Sequence, residues 1–293
     1  MPELPEVEIV MRGLRPVLVG ARFDKVETRR ADLRFPFPER FAERLQQRRI
    51  DALSRRAKFI LADLDDGLVL IMHLGMTGRF QVERGNTSHT PGEFYYDGPR
   101  DPRHDHAVFH LSSGVSVTFN DARRFGFMDL VARTNLEVYR SFRDLGVEPL
   151  GNAFGGPVLS ALLKGRTTSL KAALMDQRLV AGLGNIYVSE ALFRAGLHPK
   201  RAAGTVDPVE AERLAAAIKA VLTQAVEAGG STLRDFAHVN GEAGAFQDDF
   251  AVYDREGEPC PICAASIARI VQAGRSTFFC AACQPLARRR SRR

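Results

Sequence analysis

All four cysteines of this chain fall in one unit near its end: Cys260-Pro-Ile-Cys263, sixteen intervening residues, then Cys280-Ala-Ala-Cys283. Two Cys-x-x-Cys pairs at this spacing are the signature of a zinc site. Four thiolates close a tetrahedral shell and leave no open position, so the expected cofactor is one structural zinc ion on Cys260, Cys263, Cys280 and Cys283. The unit reads as a third region, with short strands expected over residues 267–271 and 276–279. The alternative is two disulfides in a secreted protein. Against it, Glu3, Glu6 and Glu8 stand where a signal peptide needs basic and apolar residues, and no apolar run is long enough to span a bilayer. The expected setting is cytoplasmic and reducing, with no membrane, where thiolates hold metal instead of pairing.

A chain of 293 residues can hold two domains with cores of their own. The net charge is +6, and Arg288, Arg289, Arg290, Arg292 and Arg293 supply five of those charges, so the rest is close to neutral. Any polyanion-binding face must come from arranging cations on one side of the fold. The tail reads as a solvated charge run that adds non-specific phosphate affinity.

The spacing of Val7, Val10, Leu14 and Leu18 predicts a helix from Pro5 to Val19, stopped at Gly20. The next hundred residues read as β-rich. Apolar runs over 59–64 and 68–72 flank Asp65-Asp66-Gly67, and runs over 108–111 and 115–119 flank Ser112-Ser113-Gly114, so two hairpins are expected. Residues 83–103 read as a long loop. Beyond 157 the pattern turns helical. Asp207, Pro208 and Glu210 mark a capped helix start, Leu214, Ile218, Val221, Leu222 and Ala225 form its apolar face, and Gly229-Gly230 ends it. Another helix is expected from Asn185 to about Gly196.

Several segments could carry chemistry. Removal of Met1 would leave Pro2 as a free secondary amine beside Glu3. An α-amino group has a pKa of about 7.7–8.0, so a useful fraction is neutral and nucleophilic near pH 7. Such an amine can attack a sugar aldehyde carbon and form an iminium, as lysine Schiff-base enzymes do. The plain alternative is a proline that merely starts the chain. Lys58 follows Arg55-Arg56-Ala57 and abuts an apolar strand, which would hold one cation in a cleft instead of on a solvated edge. His73-Leu74-Gly75-Met76-Thr77-Gly78 reads either as loop packing or as part of a site. In His104-Asp105-His106 phosphate contact or a surface cluster is favoured over a metal pair. Asp121-Ala122-Arg123-Arg124-Phe125-Gly126 combines cations with an aromatic that could wedge into a base stack, or be a hairpin loop with a core Phe. Gly182-Leu183-Gly184 before the Asn185 helix could cradle a phosphate, with Arg166, Lys171 and Arg178 near in sequence, or be a turn between packed helices.

Taken together, Pro2-Glu3-Leu4-Pro5-Glu6, Arg56-Ala57-Lys58, His73-Leu74-Gly75-Met76, Arg123-Arg124-Phe125-Gly126, Gly182-Leu183-Gly184-Asn185-Ile186-Tyr187, Gly229-Gly230-Ser231-Thr232-Leu233 and the cysteine unit resemble the formamidopyrimidine-DNA glycosylase family, in the family's order and over nearly the whole chain. The resemblance implies an α+β multidomain fold: an N-terminal helix with a β-sandwich over residues 1–133, a helix–two-turn–helix domain over 134–250, a four-cysteine zinc finger over 251–285 and a basic tail over 286–293. It implies a monomer acting on duplex DNA that contains an oxidised base, with the DNA between the two halves. Pro2 would attack C1′ of a flipped nucleotide, with Glu3 as the acid that helps the sugar ring open. Lys58 would serve β-elimination and the fingertip Arg275 δ-elimination, while Glu6 would be a supporting carboxylate. Met76, Arg123 and Phe125 would fill the hole left by the flipped base. His104, Lys171 and Asn185, with His73 and Arg166, would contact DNA.

The chain departs from the family's pattern in two places. Thr167 stands where a basic residue is frequent, with Arg166 one step earlier, so that phosphate contact would shift. Ala245 stands for a frequent tyrosine in the lesion-capping segment 240–246, which puts lesion preference in question. Leu4 favours the oxidised-purine branch over the endonuclease VIII branch, whose substrates are oxidised pyrimidines. A non-catalytic zinc protein that binds damaged DNA predicts loss of Pro2, Glu3 or Lys58, all of which are present, and a zinc-stabilised interaction module would leave Pro2-Glu3 and the loop of Arg123 and Phe125 unexplained.

Overall fold

The computed structural model describes residues 2–92, 100–231 and 246–286. The segment 240–245 and the arginine tail beyond 286 therefore lie outside the described residues. The chain forms two compact units, residues 1–143 with 226–247 and residues 144–225 with 248–293.

The first unit opens with α1 (Leu4–Leu18), whose Val7, Val10, Leu14 and Leu18 are buried as their spacing predicts. Gly20, at φ 85°, turns the chain out of the helix. Then follow β1 (Phe23–Thr28), the short α2 (Phe41–Leu45), β2 (Ile50–Arg56), β3 (Phe59–Leu64), β4 (Leu68–His73), β5 (Arg79–Arg84), β6 (Thr87–His89), β7 (Asp105–Leu111), β8 (Ser116–Asn120) and β9 (Phe127–Ala132). They make two antiparallel sheets, in the orders β1-β7-β8-β5-β6 and β2-β3-β4-β9. Val10 and Leu14 of α1, Phe23, Phe80, Phe109 and Val117 from one sheet, and Leu53, Ile60, Leu70 and Met128 from the other share one core. Both expected hairpins form, with registers Phe59↔His73 and Val108↔Thr118.

The stretch over 83–103 is not wholly a loop. Gly85, at φ 57°, returns the chain through β6 to pair Val82 with His89 at the sheet edge, and Pro102–His104 makes a 3₁₀ turn. Every residue of β6 is exposed, so no apolar alternation marked it in the sequence.

The second unit contains α3 (Gly156–Leu163), α4 (Leu170–Met175), α5 (Asn185–Arg194), most of α6 (Pro208–Glu227), β10 (Ile267–Gln272) and β11 (Arg275–Cys280). The start of α6 carries the expected capping box: the Glu210 N–H donates to Asp207 Oδ1 at 2.8 Å, and the Asp207 N–H donates to Glu210 Oε2 at 3.0 Å. The fold class is the expected one, α+β with a helix-plus-sandwich part, a helical part and a C-terminal ribbon that carries the four cysteines.

Candidate functional site

In the first unit Pro2 and Glu3 are buried at the foot of α1. The Glu3 N–H donates to Glu6 Oε2 at 2.8 Å, and Glu6 Oε1 accepts both the N–H of Ser231 at 3.1 Å and its hydroxyl at 3.0 Å. Glu6 has no exposed surface. One buried carboxylate thus fixes both the direction in which Pro2 leaves the helix and the start of the segment after Gly230.

Lys58 is also buried, at 7% exposure. It occupies the two-residue turn between β2 and β3, where Ala57 takes φ 52° and Arg56 pairs with Phe59. Arg55 ties this turn to α1. Its Nε donates to Glu8 Oε2 at 2.8 Å while its Nη1 donates to the Ala57 carbonyl at 2.9 Å. Burial works to raise the Glu8 pKa, but the bonds from Arg55 and Arg12 outweigh it and hold that carboxyl below its usual range. Helix α1, at whose foot Pro2 and Glu3 lie, and the hairpin that carries Lys58 are therefore joined through the Arg55–Glu8 ion pair and through Arg15, whose Nη2 donates to the Leu53 carbonyl at 2.9 Å.

Lys58 also acts on His73. Burial first, then the charges of Lys58 and Arg34, push the His73 pKa down to about 4. The imidazole is thus neutral near pH 7, lies nearly parallel to the Phe127 ring at 5.4 Å and accepts the Gly75 N–H on Nδ1 at 3.0 Å.

Met76, Arg123 and Phe125 come from two loops that the structure presses together. A Cβ on Gly75 would lie 2.3 Å from Gly126 N and from the Phe125 carbonyl carbon, so only glycine allows this approach. Met76 is half-buried and Arg123 exposed. The Arg123 guanidinium lies 4.7 Å from the centre of the Phe125 ring, and that ring is 42% exposed. Phe125 is therefore not a core residue. His104 is half-buried beside Asp101, at 3.9 Å.

The remaining predicted residues lie in the second unit. Arg275 follows directly on the two-residue turn Ala273-Gly274, whose φ angles of 49° and 72° suit a tight hairpin, and it is exposed at the tip. Lys171 is buried, unlike a typical surface cation. Its ammonium donates to the Ser276 carbonyl at 2.9 Å and to Thr277 Oγ1 at 2.6 Å. Asn185 Nδ2 donates to the same Ser276 carbonyl at 3.0 Å. Two predicted contacts thus converge on the residue next to Arg275. Arg166 is exposed, with its Nε bonded to the Leu162 carbonyl at 2.7 Å.

The four Sγ atoms all lie within 4.8 Å of one another. The pairs Cys260–Cys283 and Cys263–Cys280 are 3.8 and 3.5 Å apart. Four sulfurs about 2.3 Å from a zinc ion would be about 3.8 Å apart, so the cage fits that metal. Backbone N–H groups of Ile262 and Cys283 donate to Cys260 and Cys280 Sγ, each at 3.4 Å. The neighbouring Cys263 sulfur, then burial, push the Cys283 thiol up to about 12. Burial raises the Cys280 thiol as well, whereas at Cys260 burial is outweighed by the N–H groups of Ile262 and Cys263 and the neighbouring sulfurs, which bring it down to about 7.

Residues 1–128 match the formamidopyrimidine-DNA glycosylase N-terminal domain, 145–237 the formamidopyrimidine-DNA glycosylase H2TH domain, and 257–286 the zinc finger found in FPG and IleRS. The chain belongs to the formamidopyrimidine-DNA glycosylase family. It is 59% identical to the formamidopyrimidine-DNA glycosylase of Methylobacterium sp. (strain 4-46), over 97% of this chain and 99% of that one. To the Brucella ovis protein of the same name it is 56% identical, over 97% and 100%. The crystal structure of MutM (Fpg) from Thermus thermophilus superposes with a TM-score of 0.82 at 41% identity, over 98% of this chain and 100% of that one. The Lactococcus lactis Fpg in complex with DNA containing an abasic site gives 0.83 at 32%, over 97% and 99%. As a member of this glycosylase family the chain is a base-excision repair enzyme with one structural zinc ion.

Several supporting residues were not visible to sequence reasoning: Arg55 and Glu8, Glu190, and Gln284, whose amide accepts the Cys280 N–H at 2.9 Å and donates to the Leu197 carbonyl at 2.9 Å. Each is an ordinary polar residue in sequence, and only its bonding in the fold singles it out, half-buried for Arg55 and Glu8 and buried for Glu190 and Gln284. Among the described residues no helix is long and apolar enough to cross a membrane.

Proposed function

We propose that this glycosylase removes oxidised purines, 8-oxoguanine and formamidopyrimidines, from duplex DNA through a Schiff base on Pro2, and then cuts the abasic strand by β,δ-elimination. The observation that carries this reading is the buried foot of α1. There Glu6 holds the Glu3 backbone and so aims Pro2, and Arg55 couples the same helix to the Lys58 turn. In this reading the Pro2 nitrogen attacks C1′ of a flipped nucleotide as the base leaves, and Glu3 protonates the opening sugar ring. Lys58 serves the β-elimination. Arg275 meets the phosphate expelled in the δ-step, which leaves a one-nucleotide gap with phosphate at both ends. Met76, Arg123 and Phe125 occupy the space of the extruded base. His104, Lys171 and Asn185, with His73 and Arg166, serve the DNA backbone; the burial of Lys171 and the bond of Asn185 to Ser276 favour action through the Arg275 tip. The zinc ion would hold the ribbon that presents Arg275 and take no part in the chemistry.

Residues 1–133 then form the catalytic part, 134–250 the helix–two-turn–helix part and 251–285 the zinc finger, with the tail 286–293 adding phosphate affinity. The enzyme acts as a cytoplasmic monomer. Leu4 supports the purine branch over oxidised pyrimidines. The family's complex with DNA containing an abasic site supports DNA as the partner.

Borohydride trapping on a duplex with one 8-oxoguanine opposite cytosine tests the proposal. The expected product is a covalent adduct that peptide mass analysis locates at Pro2, and that Pro2→Gly forms far more slowly. An adduct at another residue, or wild-type excision by Pro2→Gly, refutes Pro2 as the nucleophile. Trapping on oxidised pyrimidines but not on 8-oxoguanine refutes the purine assignment.

A further inference from the structure

The loops that bear Met76 on one side and Arg123 and Phe125 on the other are joined by a single carboxylate. Asp121 has no exposed surface. Its Oδ1 accepts the Thr77 hydroxyl at 2.5 Å and its Oδ2 accepts the Gly126 N–H at 2.8 Å. The Thr77 oxygen in turn accepts the Arg123 N–H at 3.1 Å. The Asp121 backbone is fixed as well: its N–H donates to the His104 carbonyl at 3.0 Å, and its carbonyl accepts from buried His106 Nε2 at 2.8 Å. The two Thr77 bonds run between the loops, the Gly126 bond closes the 121–126 loop on itself, and the backbone bonds anchor Asp121 to the 102–104 turn and β7, while Arg123 and Phe125 stay exposed.

A buried carboxylate is costly unless its oxygens are hydrogen-bonded. Here both oxygens are, and each bond sets the position of a loop instead of a charge partner. Acceptors at two points are what this geometry needs, because the hydroxyl and the amide N–H both donate. The close approach of Gly75 to Phe125 and Gly126 leaves the loops little freedom to slide once these bonds are made.

We infer that Asp121, acting with Thr77, is the positioning residue that locks Met76, Arg123 and Phe125 into one rigid wedge, so that it governs extrusion of a base from the duplex and not the sugar chemistry that follows. The inference rests on the wedge role proposed for those three residues. It separates two steps of the reaction: Asp121 matters where a stacked base must be displaced, and is dispensable where no base is left to extrude.

The test compares two substrates with the full-length, zinc-loaded enzyme. One is a duplex with 8-oxoguanine opposite cytosine. The other is a single-stranded oligonucleotide with a preformed abasic site, on which only strand cleavage is scored. Asp121→Ala should lower single-turnover excision on the duplex at least tenfold and leave abasic cleavage within twofold of wild type. Thr77→Val should show a smaller loss confined to the duplex, and Thr77→Ser should restore it. Should Asp121→Ala fail to fold, as judged by zinc content and melting, the Thr77 pair carries the test. Equal losses on both substrates, or none on either, overturn the inference. A wild-type enzyme without activity on the duplex would instead defeat the base-excision reading on which it rests.

Discussion

Glu190 offers a test of how the helical scaffold holds the zinc ribbon. It lies on α5 with no exposed surface, and its carboxylate gathers three backbone N–H groups of one turn: Val252 at 3.0 Å and Tyr253 at 2.8 Å on Oε1, and Ala251 at 3.0 Å on Oε2. That turn is the stem of the ribbon. Val252 packs in one cluster with Cys260, Ile267, Phe278 and Cys280, and the Tyr253 ring meets Phe278 edge-on at 5.2 Å. In Glu190→Gln the amide oxygen can keep the two bonds of Oε1, but its NH2 then faces the Ala251 N–H, donor against donor. One buried N–H left without a partner costs about 1–3 kcal/mol, and the two bonds that survive lose their charge assistance. Part of this is offset because burial already disfavours the Glu190 anion and raises its pKa. A local destabilisation of about 2–4 kcal/mol results. At 1.4 kcal/mol per tenfold, the stem should open roughly 30- to 1000-fold more often. Zinc capture by a colorimetric chelator, together with hydrogen exchange at residues 251–253, reads this opening directly. Zinc release and exchange within threefold of wild type would show that the three N–H groups do not depend on Glu190, and would refute the reasoning.

Two further outcomes follow from buried groups. The His73 pKa is pushed down to about 4 from an ordinary 6.5, chiefly by burial and then by Lys58 and Arg34; between these values the unfolded chain takes up a proton that the folded one refuses. Its contribution to stability should be complete above about pH 6.5 and fade as the pH falls toward 4, so urea midpoints at pH 7 and pH 5 should differ less in His73→Phe than in wild type, and an equal difference would count against it. Lys171→Met should lower stability by about 2–4 kcal/mol, because charge-assisted bonds to the Ser276 carbonyl and Thr277 hydroxyl are lost. Lys171→Arg should not recover it, since a planar guanidinium cannot take the slot of a compact ammonium, and a wild-type melting temperature in either variant would contradict this account.

The elements that sequence reading placed correctly share one property: their signal is local. The stripe on α1, the capping box of α6, the two hairpins and the ribbon strands are each specified within a few residues. Strand β6 escaped because its exposed residues carry no alternation, and its pairing is set by the Gly85 turn and the neighbouring strand. β1, β2, β5 and β9 lay inside a stretch read only as β-rich. Their places in the two sheets depend on partners far along the chain, such as Val26 with Phe109 and Met72 with Met128.

The candidate site divides along the same line. Residues of the zinc site, and those proposed to act on DNA, announce themselves by type and spacing, as the four cysteines, Pro2 and Lys58 do. Residues that hold them in place do not, because their partners are backbone groups, and every residue except proline offers the same N–H and C=O. Asp121 and Glu190 make this plain, and Glu6 stood out only through the family resemblance: each is a buried carboxylate whose named partners are backbone amides and hydroxyls, and by residue type alone each could equally be a surface acid. Such a carboxylate is stable inside the protein only if the donors already converge on it. Its burial therefore reports rigidity at that point of the chain: the exit of Pro2 for Glu6, the wedge for Asp121 and the ribbon stem for Glu190. The three acids mark three places where a buried carboxylate, through the backbone N–H groups it accepts, fixes the course of the chain.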